Sequence, residues 1–191
     1  LKLYKSLMSL AIVGMLISGC SSLVDITKEH TVIRGKAVDG YLNSATVCLD
    51  LSMDGYCQIG VEPATSTDAN GSYTLKVDLI LQEHENFNIA PILVYDGKDN
   101  DTGKHFTGKL KAPNNGETIN VTPLTTIIAT SIEKEAKTLS KAEIQKKINV
   151  AETKLKKALG LSININNDPI AEQGNGNDDL IKISLSLQKS L

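Results

Sequence analysis

The hydrophobic pattern of the chain changes at Thr122-Pro123, and this change constrains the fold more than any other feature of the sequence. Before it, apolar and polar residues alternate, as in residues 72–77 (SYTLKV), a period typical of half-buried strands. After it, apolar residues recur every three or four positions, the period of amphipathic helices. The sequence therefore predicts an α+β protein, with a β-rich part at 32–121 and a helical part at 122–191.

The β-rich part contains short β-branched and apolar runs separated by turn signals such as Asp39-Gly40 and Asn70-Gly71. Short strands at this spacing predict a small antiparallel β-sandwich. The predicted strands cover residues 32–38, 45–49, 65–67, 72–77 and 87–95. Pro91 indicates an edge position or a bulge in the last of them.

The helical part begins with good helix-start chemistry, because Thr122 can cap and Pro123 suits the first helical position. Ser140 and Glu143 form a capping-box pattern, and Gly160 is placed to end the second helix. The two helices are predicted to form an α-helical hairpin. Residues 162–179 are predicted to be a loop, and the apolar spacing in 180–191 fits either a third helix or a strand.

The first 19 residues have the layout of a secretory signal peptide, with Lys2 and Lys5 before an apolar stretch at 7–17. The stretch is shorter than the roughly 20 residues of a membrane-spanning helix. Ser18-Gly19-Cys20 resembles the bacterial lipobox. That resemblance implies that Cys20 is acylated and becomes the first mature residue. Residues 20–31 would then be a lipidated tether. The resemblance to Gram-negative lipoproteins, in which an aspartate after the cysteine favours the inner membrane, implies an outer-membrane location, because Ser21 follows Cys20 here.

Cys48 and Cys57 remain after lipidation of Cys20, and an exported chain usually oxidises such a pair. The sequence therefore predicts a Cys48–Cys57 disulfide, with a pair of free thiols as the alternative. A zinc site is disfavoured because no histidine lies near the two cysteines.

Asp50, Ser52 and Asp54 alternate before Gly55, a spacing that directs three oxygen-bearing side chains toward one point. With Glu62, they predict a weak Ca²⁺ site, although Glu62 lies one position later than the EF-hand pattern places its glutamate. The alternative is a polar loop held by its disulfide. Asp96, Asp99 and Asp101 form a second acidic group, interpreted as a hairpin tip rather than a cation site.

Residues 33–47 and 67–75 resemble carboxypeptidase-regulatory-like domains, which are prealbumin-type seven-stranded sandwiches. Residues 48–57 with Glu62-Pro63 resemble the calcium-loop segment of B-type repeats in surface adhesins. Residues 99–110 and 121–126 resemble the end of this domain in bacterial surface lipoproteins and large secreted adhesins. The resemblance covers about residues 32–165 and implies a fold and a surface location rather than an activity.

The charge distribution disfavours nucleic-acid binding, because the formal net charge is −2 and the lysines of residues 134–157 are interspersed with glutamates. The sequence contains no motif that pairs a nucleophile with a base. We therefore expect a non-enzymatic binding, adhesion or structural module at the cell envelope, with an extracellular protein or glycan as its ligand. The alternative is an accessory subunit of an envelope enzyme or of a polysaccharide-processing system.

Overall fold

The computed structural model describes residues 30–136, 138–175 and 177–188, and these residues form a mixed α+β structure. Eight strands precede four α-helices in this part of the chain, and a short 3-10 helix, Leu79–Glu83, follows β5. The strands are β1 (His30–Lys36), β2 (Leu42–Asn43), β3 (Thr46–Leu49), β4 (Ala64–Ser66), β5 (Ser72–Asp78), β6 (Ile92–Tyr95), β7 (Lys98–Asp99) and β8 (Lys109–Ala112). The helices are α1 (Pro123–Ala136), α2 (Lys141–Leu159), α3 (Pro169–Gly174) and α4 (Asp178–Gln188).

The strands pair in antiparallel fashion within three small sheets. β1 pairs with β5, with Ile33 opposite Leu75. β4, β3, β6 and β8 form a four-stranded sheet in that order, and the short β2 and β7 pair with each other. Along β5 buried and exposed residues alternate, as its sequence predicted.

The β1–β5 pair and the four-stranded sheet bury their apolar side chains in one common core. Ile33 and Leu75 come from the pair, and Val47, Ile92 and Leu110 come from the larger sheet. These side chains are almost completely excluded from solvent. Burial of this kind stabilises a fold by roughly 1.5–3 kcal/mol for each large side chain.

Residues 117–121 run alongside β1 in the parallel direction and lead directly into α1. The Arg34 N–H donates to the Glu117 carbonyl, and the Ile119 N–H donates to the Arg34 carbonyl, each at 2.8 Å. The Tyr73 hydroxyl on β5 donates to the Ile119 carbonyl at 2.6 Å. Burial raises the pKa of Tyr73, which keeps the hydroxyl protonated as a donor. The helical part therefore starts from a backbone segment fixed to β1.

The helix boundaries follow the predicted capping residues. Thr122 Oγ1 accepts the Thr125 N–H at 3.1 Å at the start of α1. Ser140 and Glu143 form the predicted capping box of α2, and Gly160 ends that helix with a φ of 68°. Leu139 lies between α1 and α2.

The helices bury a second apolar core that includes Leu124, Ile128, Ile144, Ile148 and Leu180. α4 is helical, which resolves the choice between helix and strand for residues 180–188. Its first turn carries Asp178 and Asp179, which suit a helix N-terminus.

Several segments differ from the sequence prediction. β2, β7 and β8 were not among the predicted strands. Residues 87–91 are not part of the predicted 87–95 strand, which begins only at Ile92. Asn86 organises the preceding turn, because its carbonyl accepts the Ile89 and Ala90 N–H groups. Residues 169–174, predicted as loop, form α3, because the Asp168 carboxylate accepts the Ile170 and Ala171 N–H groups.

Candidate functional site: the disulfide-bonded loop

A disulfide joins Cys48 on β3 to Cys57, with an S–S distance of 2.00 Å, which confirms the predicted pairing. Both cysteines are buried and pack against Leu93 and half-buried Tyr95 of β6. The bridge therefore anchors the loop that follows β3 to the four-stranded sheet.

Asp50 organises the loop between the two cysteines and is completely buried. Its carboxylate accepts the Gly55 N–H at 2.9 Å, the Asp54 N–H at 3.2 Å and the Ser52 hydroxyl at 3.1 Å. Burial raises the pKa of Asp50, and the hydrogen bonds from Gly55 and Ser52 partly oppose that shift. The side chain predicted to bind a cation thus holds the turn at Gly55, where φ is 80°.

Glu62 closes the other side of the loop and is also buried. Its two carboxylate oxygens accept the Ser52 N–H at 2.8 Å and the Gln58 N–H at 3.0 Å. Both carboxylates bond to Ser52, Glu62 through the backbone N–H and Asp50 through the hydroxyl. Glu62 therefore lies beside Asp50 and Ser52, as the calcium hypothesis requires.

Asp54 is exposed and points toward the tip of the loop. It accepts the Tyr56 N–H at 2.9 Å and the Gln58 side-chain amide at 3.1 Å. The hydrogen bond from Gln58 lowers the pKa of Asp54 most, and the bond from the Tyr56 N–H lowers it further.

No group of three or more acidic, histidine or cysteine side chains within the described residues has metal-binding geometry. The Ca²⁺ site at Asp50, Ser52, Asp54 and Glu62 stays a prediction.

The tip of the loop exposes three large apolar side chains, which the sequence analysis did not identify. Tyr56, Ile59 and Val61 are 61%, 68% and 72% exposed. We call these three residues the apolar tip. The sequence signal was weak, because Tyr56 directly precedes Cys57 and the short stretch of Ile59 and Val61 before Pro63 belongs to no predicted strand or helix.

Lys109 of β8 holds the aromatic member of the apolar tip in place. Its ammonium lies 3.4 Å from the Tyr56 ring centroid and donates to the Gly55 carbonyl at 2.6 Å. A cation over an aromatic ring is stabilising, by about 0.5–1 kcal/mol at exposed sites. The apolar tip is thus supported by Lys109 on one side and by the disulfide on the other.

The second acidic group acts as a turn-forming element. Asp99 is buried and accepts the Asp101 N–H at 2.8 Å and the Thr102 hydroxyl at 2.7 Å. Asp96 lies 3.9 Å from a nitrogen of exposed His105. These contacts agree with the interpretation of residues 96–101 as a hairpin tip.

A third polar group joins the β-rich part to the loop before α3. The Asp168 carboxylate accepts the Tyr41 hydroxyl at 2.8 Å and lies 3.0 Å from the Lys36 ammonium. Burial alone would raise the pKa of Asp168, but the bonds from Tyr41 and Lys36 hold it below its ordinary value. The sequence did not indicate this group, because Tyr41 and Asp168 are 127 positions apart.

No family model, curated protein or solved structure matches the chain. The resemblance to carboxypeptidase-regulatory-like domains therefore stays a prediction based on the quoted residues. Cys20 and the predicted signal peptide lie outside the described residues. Among the residues that the structure describes, no helix has the length and apolar character needed to cross a membrane.

Proposed function

We propose that the chain is a lipid-anchored bacterial envelope protein that acts as a non-enzymatic binding module. The observation that carries this proposal is the apolar tip, which a disulfide, buried carboxylates and a lysine hold in one conformation. Loops fixed on a rigid scaffold are a common location for binding residues. Exposed apolar and tyrosine side chains are also typical of protein interfaces.

The disulfide supports export, because such bonds persist mainly in oxidising compartments. The sequence features around Cys20 support the same location independently of the fold. We propose an outer-membrane anchor through acylated Cys20, with residues 20–29 as the tether. The predicted tether ended at residue 31, but His30 and Thr31 belong to β1 and pair with β5. The Cys20→Ala variant should leave the membrane fraction or accumulate with its signal peptide. Unchanged fractionation and unchanged mass would contradict the anchor.

We also propose that the β-rich part is a prealbumin-type sandwich. The shared core of the β1–β5 pair and the four-stranded sheet supports this arrangement. In such a fold the loops at the ends of the strands are available for recognition. The apolar tip lies in the loop between β3 and β4, which is the loop that we assign to binding.

The ligand that best fits the apolar tip is an extracellular protein, because three adjacent apolar side chains gain more from apolar surface than from hydroxyl-rich glycans. A screen of matrix proteins and glycans with the full chain tests this assignment. The variant Tyr56→Ser/Ile59→Ser/Val61→Ser should lose the protein hits. Ile80→Ser is the matched control, because Ile80 is 78% exposed on the short 3-10 helix Leu79–Glu83.

Three outcomes of the screen are informative. Protein hits that the triple variant loses and Ile80→Ser keeps support the proposal. Hits confined to glycans would favour the alternative, an accessory subunit of a polysaccharide-processing system. Protein hits that the triple variant retains would show that the apolar tip is not the binding surface.

A further inference from the structure

An open groove of about 710 Å³ lies between α1 and α2, away from the residues of the apolar tip. Ile127 and Ile132 of α1 and Ala151 and Leu155 of α2 form its apolar lining, together with Leu139 between the helices. These side chains are only partly buried by the rest of the described chain. The two helices therefore leave part of their apolar surface without cover from those residues.

The outer wall of the groove is a single stripe of α2. This stripe consists of residues at helical spacing, Lys147, Val150, Lys154 and Ala158. Lys146 lies beside the stripe. Val150 is 45% exposed. Lys147 forms an ion pair with Glu135, whereas no ion pair within the described residues involves Lys146 or Lys154. Glu143 also lines the groove, so its charged lining side chains are one glutamate and three lysines, Lys146, Lys147 and Lys154, beside an apolar floor. The lining therefore carries an excess of positive charge.

We propose that this groove binds an amphipathic α-helix of a partner protein whose apolar stripe is flanked by acidic residues. A third helix can pack into the seam between two neighbouring helices, as in helical bundles. Anchor residues at i, i+3 or i+4 and i+7 are the usual means of binding such a groove. Acidic residues beside the anchors would complement Lys146 and Lys154.

The spacing of the rim charges favours a helix over a lipid. Lys146 and Lys154 are eight residues apart, which is about 12 Å along the helix axis. A helix with acidic residues two turns apart can contact both lysines, whereas the single anionic head of a fatty acid can contact only one. The apolar residues 7–17 of this chain are poor occupants, because Lys2 and Lys5 precede them.

The same charges disfavour a second copy of this chain. A two-fold axis at Val150 would place Lys146 of one copy opposite Lys154 of the other. Like charges placed opposite each other at an interface oppose association. The excess of lysine over glutamate in the lining therefore favours a partner of opposite charge.

The test uses the full chain and a labelled amphipathic peptide of about 16 residues. At a helical rise of 1.5 Å per residue, such a peptide is as long as the stretch of α2 from Glu143 to Ala158 that lines the groove. The peptide carries leucines at helical spacing with glutamates along both edges of the stripe. A second peptide replaces each glutamate by lysine. Fluorescence anisotropy measures binding, and circular dichroism measures helix formation. Oleate, phosphatidylglycerol vesicles and sedimentation of the chain alone test the other occupants.

We expect the acidic peptide to bind as a helix and the basic peptide to bind at least about tenfold more weakly. Val150→Asp should weaken binding of the acidic peptide by at least about tenfold, because it places a carboxylate in the apolar wall. Thr153→Asp is the matched control, since Thr153 is exposed on α2 and does not line the groove. Lys154→Glu should weaken binding by about threefold to fivefold, and Lys76→Glu, on β5, should leave it unchanged.

Several results would overturn the proposal. One is equal affinity for the acidic and basic peptides. Another is binding of oleate or vesicles that Val150→Asp abolishes, in the absence of peptide binding. A third is a dimer that Val150→Asp dissociates. Retention of peptide binding by Val150→Asp would place the peptide elsewhere on the surface. Thermal melting of each variant verifies folding, and a variant that fails to fold is replaced by Ala158→Asp in the same wall.

Discussion

Gly35 illustrates at the scale of single residues how closely β1 packs against the segment that leads into α1. A Cβ atom at Gly35 would lie 1.8 Å from the Ile119 carbonyl oxygen, in a position fixed by backbone hydrogen bonds. The Tyr73 hydroxyl donates to that same oxygen. The requirement for glycine here is steric, because the backbone of a neighbouring segment occupies the space of a side chain.

We predict that Gly35→Ala destabilises the fold by about 1–3 kcal/mol, since β1 and residues 117–121 must separate to admit the methyl group. Gly116→Ala is the matched control, because a Cβ there has no atom within 4 Å. Urea unfolding should show the loss for Gly35→Ala and little change for Gly116→Ala. Equal stability of the two variants would contradict the argument.

The carboxylates of Asp50, Asp54 and Glu62 permit a test of the predicted Ca²⁺ site by single substitutions. If Ca²⁺ binds only the folded loop, a hundredfold excess over its Kd stabilises the fold by about 2.7 kcal/mol. The melting temperature should then rise with millimolar Ca²⁺ and fall with chelator. Asp54→Ala should abolish this response while the disulfide stays intact, and Asp68→Ala, in the turn before β5, should retain it. A melting temperature that is indifferent to both additions would leave a loop held by its hydrogen bonds and disulfide alone.

At the scale of elements, the helix ends show how local sequence sets a boundary. The Ser140 hydroxyl accepts the Glu143 N–H at 3.4 Å, and the Ser140 N–H donates to the Glu143 carboxylate at 2.9 Å. These two bonds satisfy donors that the first turn of α2 would otherwise leave unpaired. The start of α2 was therefore predictable from four consecutive residues.

We predict that Ser140→Ala destabilises the protein by about 1 kcal/mol, because the first turn of α2 loses its side-chain acceptor. Ser140→Asn keeps an acceptor of similar reach and should have nearly the stability of the original chain. Thermal melting of the two variants measures the difference. A Ser140→Asn variant as unstable as Ser140→Ala would show that the cap contributes little.

The predictable and unpredictable elements differ in the range of the interactions that determine them. Thr122, Ser140 and Gly160 mark helix ends through contacts a few residues away, and the alternation in β5 reflects burial of one face. The first part of residues 87–95 is apolar but turns around Asn86, which side-chain apolarity alone does not reveal. α3 was missed because its Asp168-Pro169 start lies in a segment whose composition resembles a loop.

The disulfide of the candidate site was predictable from the sequence, whereas the exposed side chains of its loop were not. Two cysteines in an exported chain predicted the disulfide, and alternating oxygen-bearing residues predicted a structured acidic loop. Exposure of Tyr56, Ile59 and Val61 depends on the path of the loop over the sheet. The contact of Lys109 with Tyr56 depends on the position of β8, which the local sequence around the loop does not specify.

At the scale of the whole molecule, Lys36, Tyr41 and Asp168 connect the β-rich part to the helical part. Asp168 also caps α3, so the same carboxylate stabilises a helix and an ion pair. Burial of Lys36 would lower its pKa, but its bonds to Tyr41 and Asp168 raise it above the ordinary value. The folded arrangement therefore favours the ammonium form of Lys36 and the carboxylate form of Asp168.

We predict an acid-sensitive contribution from Asp168. Its folded pKa is lowered, so the stabilisation is present above its ordinary value of 3.8 and is lost as the pH falls through the folded pKa. The ion pair should contribute about 1 kcal/mol or less, because Lys36 remains partly exposed. Asp168→Asn keeps a capping side chain and should flatten the acid limb of a plot of unfolding free energy against pH. An unchanged acid limb in this variant would contradict the assignment.

The parallel placement of residues 117–121 against β1 gives the molecule a mechanical property. A pull between the segment before His30 and the helices after Val121 loads two parallel segments from opposite ends, so the force acts along the chain direction. Three backbone hydrogen bonds between them, and a fourth from the Val38 N–H just after β1, range from 2.8 to 2.9 Å. These bonds share the load in shear, instead of opening one after another. Resistance to such a pull depends on the rate of unfolding rather than on equilibrium stability. A protein tethered through the residues before His30 and held by a partner on its helices would bear tension along this contact.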